Sequence, residues 1–80
     1  MVGDPSVIGH VGPLVVATRG TEGAGEVRLK VRGATEIYLA WSDEPLPKGA
    51  PVLVIGARAP RTVDVVAWTD PVVTTDDLTG

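Results

Sequence analysis

Few residues of this chain are of a type that does acid–base, metal or covalent chemistry. There is one histidine, His10, and no cysteine. That removes thiol nucleophiles and thiolate metal ligands, and a general base or metal ligand at His10 has no second imidazole to work with. Flanked by Gly9 and Val11, His10 reads as an exposed loop residue. Asp43 and Glu44 are adjacent carboxylates followed by Pro45 and Pro47, a composition that turn formation explains better than proton transfer. The glycines of the 20–25 segment suggest a phosphate cradle, but no Lys-Ser/Thr ending and no helix follow, so the segment reads as a strand-linking loop. No catalytic, cofactor-binding or metal-ligating residue is assigned, no cofactor is expected, and the chain is read as something other than an enzyme.

The remaining chemistry is that of binding. Arg28, Lys30 and Arg32 recur at every second position, which places them together on the wet face of a strand. Tyr38 is expected beside them from the next strand. Arg58 and Arg61 belong to the turn before the last strand, and Trp68 closes that strand as a partly exposed aromatic suited to anchoring an interface. These seven residues form the candidate interaction surface. Its rivals are a solvated face that keeps a sheet edge soluble and an oligonucleotide-binding face. Against nucleic acid, Glu26 and Glu36 flank the cations, and single-strand binders place several aromatics where this face offers one. The seven basic and seven acidic residues within residues 9–71 also cancel, leaving the net charge of −3 to the ends of the chain.

Strands must position these groups. Ten Gly and seven Pro in 80 residues interrupt long helices, and Val dominates an apolar fraction of 44% that contains no Phe. Strands are predicted over 11–19, 25–32, 36–41, 51–57 and 62–68. The second is the clearest, with Val27, Leu29 and Val31 alternating against Glu26, Arg28, Lys30 and Arg32. Keeping Ile37, Leu39 and Trp41 on the same dry face as these calls for a three-residue connection, Gly33-Ala34-Thr35, with Val31 opposite Ile37 and Leu29 opposite Leu39. The wet face then pairs Arg32 with Glu36 and Lys30 with Tyr38. The 51–57 run is expected to be buried on both faces. Residues 1–8 read as a flexible leader, 9–69 as one domain and 70–80 as a flexible acidic tail. Five strands, no cysteine and a core this small favour closing the sheet on itself, so the fold class is all-β, a small five-stranded OB-type barrel.

The order of the punctuation carries a resemblance. Gly23-Ala24-Gly25-Glu26-Val27 opens one strand, Ala40-Trp41-Ser42 closes another, Pro47-Lys48-Gly49-Ala50-Pro51-Val52-Leu53-Val54 leads into the fourth, and Arg61-Thr62-Val63-Asp64-Val65 into the last. Over residues 9–68 this resembles the C-terminal soluble domain of NfeD-like proteins, with Leu46 where their pattern has Ile. The resemblance implies an OB-type barrel usually fused to membrane helices, working beside flotillin- or stomatin-like membrane scaffold proteins. Some larger relatives add a serine protease domain, and none of its residues has a counterpart here. It offers no established catalytic residues for this domain.

The chain is therefore read as a non-catalytic protein-interaction or scaffold module with a flotillin- or stomatin-like partner and a capacity for self-association. The alternative is an oligonucleotide-binding OB-fold using the outward face of the second and third strands. No run of residues is long and apolar enough to span a bilayer. The expected location is membrane-associated in the full-length setting and soluble and cytoplasmic for the segment itself.

Overall fold

The computed structural model describes residues 5–58 and 60–69. After a 3-10 turn at Pro5–Val7, five strands follow: β1 (Val11–Val16), β2 (Gly25–Val31), β3 (Ala34–Trp41), β4 (Pro51–Arg58) and β5 (Thr62–Ala67). They close in the order β1-β2-β3-β5-β4, with β4 returning to β1. All pairings are antiparallel except β3–β5, which is parallel. This is the five-stranded OB arrangement.

β1 closes the barrel by serving two neighbours. Its first half pairs with β4, Val11 with Leu53 and Pro13 with Pro51. Its second half pairs with β2, Leu14 with Val27 and Val16 with Glu26, across a register shift between Leu14 and Val16. The irregularity bends the strand so that one ladder ends where the other begins. Pro13, which has no N–H to donate, lies at the change of partner. Beyond Val16 the chain leaves the sheet, short of the predicted end at residue 19, and the Thr18 amide donates to the Leu46 carbonyl at 2.9 Å.

The barrel has one interior. Leu14, Val27, Leu29, Val31, Tyr38, Ala40, Val52, Val54, Val63 and Val65 fill it, joined by Val7. Val7 falls in the predicted leader, yet it is fully buried, and the Gly9 amide donates to the Val54 carbonyl at 2.8 Å. The short turn therefore adds apolar volume to a thin core. The predicted tail at 70–80 lies outside the described residues.

Two expectations about strand faces are corrected. The β2–β3 hairpin turns on two residues, Arg32 and Gly33, with φ of 54° and 83°, and Val31 pairs with Ala34. Two consecutive positive φ values are the mark of a type I′ turn, whose twist matches that of paired strands. Relative to the three-residue connection, every β3 residue changes face. Tyr38 and Ala40 point inward, and Ile37 and Leu39 point to solvent. Close approach explains the preference. Fully buried Ala40 pairs with Gly25, whose backbone lies against Val16 and Ala17, whereas the three-residue connection would set the Asp43 carboxylate opposite Gly25 at this close crossing.

β4 is the second correction. It is buried on one face only: Val52 and Val54 point inward, while Pro51 and Ile55 are exposed. The register with β5 shifts between Val54 and Gly56, and Ile55 is the residue displaced outward there, 53% exposed.

Candidate functional site

The outer surface divides by charge. On β2 the outward side chains Arg28 and Lys30 lead to Arg32 in the turn, all exposed, and none of them is in an ion pair among the described residues. Their cross-strand neighbours on β3 are Ile37 for Arg28 and Thr35 for Lys30. The expected pairs of Arg32 with Glu36 and Lys30 with Tyr38 do not form. Glu36 pairs with Leu29, and Tyr38 with Val27.

Tyr38 is thus absent from the cationic face. It is 7% exposed, and its hydroxyl donates to Glu36 Oε1 at 3.2 Å. The Arg61 guanidinium lies 5.1 Å from the ring centroid and reaches the same carboxylate oxygen at 3.2 Å. Arg61, in the turn before β5, has a φ of 44°. These three residues form a small polar cluster that links the hairpin to the start of β5.

Arg58 and Asp64 form a bidentate pair through Nε and Nη2 across β4 and β5. The hydrogen bond and charge of Asp64 raise the Arg58 pKa above its ordinary value. The pair lines an open groove of about 440 Å³ whose walls include Trp41, Ile55, Gly56 and Val66. Trp41, expected on the core side, is half-buried at this outer wall. A smaller recess of about 100 Å³, lined also by Glu44, Leu46 and Ala67, shares Ser42, Asp43, Val65 and Val66 with the groove.

The loop on the rim is fastened from inside. Thr18 Oγ1 lies 2.7 Å from Ser42 Oγ and accepts the Leu46 amide at 2.8 Å, while Ser42 Oγ donates to the Glu44 carbonyl at 2.6 Å. This network fixes the loop that carries Asp43 and Glu44. Thr18→Val keeps the shape and strands the Leu46 N–H, so it is expected to cost about 1–3 kcal/mol in urea unfolding. An unchanged midpoint would show that water replaces the hydroxyl.

The third region bears no charge. Along the outward side of β1, β4 and β5, Val11 pairs with Leu53 and Leu53 with Val66. The adjacent row runs from Pro13 to Pro51, whose carbonyl accepts the Trp68 amide at 3.0 Å. Val11, Val66 and Trp68 are 43%, 40% and 39% exposed. Trp68 was in the predicted surface. Leu53 on β4 was not, because the apolar 51–57 run suggests a strand buried on both sides, and Val11 on β1 was not singled out.

Among the described residues no cluster of three or more His, Cys, Asp and Glu is placed to hold a metal, and no helix is long and apolar enough to cross a membrane. Residues 11–66 match the NfeD C-terminal domain, which is most of the barrel. The chain belongs to the NfeD C-terminal domain family. Among solved structures it is similar to the C-terminal domain of stomatin operon partner protein 1510-C from Pyrococcus horikoshii, with a TM-score of 0.67 and 25% identity, over 88% of this chain and 100% of that one. No curated protein matches it in sequence. In NfeD terms, the match runs from the first residue of β1 to one residue short of the end of β5.

Proposed function

We propose that this NfeD domain is a non-catalytic docking barrel whose partner is a stomatin- or flotillin-like membrane protein, so that it works at a membrane surface in its full-length setting. The observation that carries this reading is the uncharged band of Val11, Leu53, Val66 and Trp68. A contiguous exposed apolar patch on a domain this small is costly to leave in water and marks a surface that is covered in use. The name of the related archaeal domain, a stomatin operon partner, supports the choice of partner. Tyr38 points into the barrel, so the cationic face has no ring on which a base could stack, and that favours a protein partner over an oligonucleotide.

Capture of a detergent-solubilised stomatin-like protein on the immobilised domain tests this. Enrichment is expected with the wild-type barrel and a loss of tenfold or more with V66D/W68D, because a charge buried in an apolar contact costs more than the 1.4 kcal/mol that a factor of ten represents. Equal capture by both baits would overturn the proposal.

A further inference from the structure

β5 runs past the end of β3, the strand that flanks it. Its pairing with β3 ends at Trp41–Asp64, and β5 continues to Ala67 with β4 on one side and, among the described residues, no strand on the other. The Trp68 amide is bonded to β4, so by alternation the backbone groups of Val65 and Ala67 face away from β4; the parallel ladder gives the Val65 N–H to Trp41, and the Val65 carbonyl and the Ala67 groups face the 42–46 loop. No backbone hydrogen bond joins that edge to the loop among the described residues. The groove and its recess lie along this edge. Apolar Trp41, Ile55 and Val66 line it, and Asp43 and Glu44 rim it. Neither acid is in an ion pair among the described residues, whereas Asp64 is matched by Arg58.

The opposite chemistry is found on the β2–β3 hairpin. β1 pairs with Glu26 and Val27 of β2, and β5 begins its pairing with β3 only at Leu39. The hairpin therefore extends past both neighbours as a two-stranded ribbon. Arg28, Lys30 and Arg32 on it form no ion pair among the described residues, and exposed Ile37 stands beside Arg28. From Ala34 to Trp41 the strand covers about 23 Å at ~3.3 Å per residue, too far for the hairpin tip to fold back onto its own groove.

We infer that copies of this chain associate head to tail, the cationic β2–β3 ribbon of one copy lying along the β5 edge and acid-rimmed groove of the next. Three features meet in that contact: a sheet edge lacking a strand, apolar side chains on both sides, and unneutralised charges of opposite sign. Edge addition supplies the main-chain hydrogen bonds, and the charges set orientation. Because the two surfaces differ, the contact is heterologous and builds rings or open chains instead of stopping at a dimer. The apolar band shares Val66 with it and is otherwise separate, so an assembly would display Val11, Leu53 and Trp68 once per copy. The inference does not depend on the stomatin-like partner.

Sedimentation or light scattering on the purified chain tests it. At low salt the mean mass is expected to exceed that of the monomer and to rise with concentration, and to return toward the monomer as salt shortens the screening length from about 30 Å to under 10 Å. The groove variant D43K/E44K and the ribbon variant R28E/K30E are each expected to be monomeric alone. Mixed, they should assemble in alternation, since the cationic ribbon of the groove variant meets the acidic groove of the ribbon variant and the reversed ribbon meets the reversed groove. A chain carrying all four reversals should assemble again. A wild-type chain that stays monomeric at low salt, or either double variant assembling alone as the wild type does, would overturn the inference. The two monomeric variants should still capture a stomatin-like protein through the uncharged band, so loss of docking and loss of self-association can be told apart.

Discussion

Gly12→Ala is expected to lower the melting temperature of the barrel by about 15 °C. Gly12 lies on β1 one residue before Pro13, where the strand passes from β4 to β2. A methyl group there would overlap the Arg28 carbonyl of β2 and stand 3.1 Å from the Leu29 side chain. The obstacle is backbone in the middle of a ladder, so no side-chain rotation relieves it. Forcing the strands apart costs about 3 kcal/mol on the scale of overpacked cores, and ~4–8 °C of melting temperature accompany each kcal/mol in a domain of this size. Small domains lie at the lower end of the usual stability range, so an alanine chain that is largely unfolded at room temperature would be the same result in stronger form. Gly33→Ala separates this effect from backbone strain. Nothing lies within 4 Å of a methyl at Gly33, but its φ is 83°, so it should lose only about 1–2 kcal/mol. If Gly12→Ala melts within a few degrees of the wild type, the close crossing of β1 over β2 is wrong.

The strand positions and the barrel class were legible because each strand is bounded by glycine or proline and because β2 alternates without exception. Its dry set, Val27, Leu29 and Val31, is the buried set. β3 was misread for a reason that pattern alone does not resolve. Both of its parities are apolar, Ile37, Leu39 and Trp41 on one and Tyr38 and Ala40 on the other. The bulkier set is the more hydrophobic, but extending its register puts Asp43 opposite Gly25, whose backbone lies against Val16 and Ala17, and the observed register puts fully buried Ala40 there. The turn then had to place a non-glycine residue, Arg32, at positive φ, which local preference argues against. Tertiary closeness overrode both signals.

The candidate surface inherits that error and one more. The β2 cations are outward as expected, and Trp68 is exposed as expected, but Tyr38 went inward with the rest of its parity. Apolar residues on both faces of β4 suggested double burial. A closed barrel of five strands has no outer layer to cover Leu53, Ile55 and Pro51, so the same pattern means an exposed apolar face. Asp43 and Glu44 read as turn residues, and they are that. Only the unpaired length of β5 beside them gives the pair a second meaning, and strand lengths to within three residues are not readable from composition.

The same face assignment sets the widest contrast between two leucines on one hairpin. Leu29→Ala is expected to destabilise the domain by about 3 kcal/mol, within the range for a fully buried leucine truncated in a packed core. Leu29 has no exposed surface, belongs to the core with Leu14, Val52 and Val54, and pairs across the hairpin with Glu36. Leu39→Ala is expected to change stability by less than about 0.5 kcal/mol, because Leu39 is 47% exposed on the outer side opposite Glu26. Under a three-residue connection the two leucines would face each other in the interior and both truncations would be severe. Urea unfolding of the two variants therefore measures the register itself. A large loss at both positions would restore the three-residue turn and return Tyr38 to the cationic face, and with it the stacking partner that an oligonucleotide requires. A large loss at Leu29 alone keeps Tyr38 inside, held by Glu36 and Arg61, and leaves the outer surface to contacts between proteins.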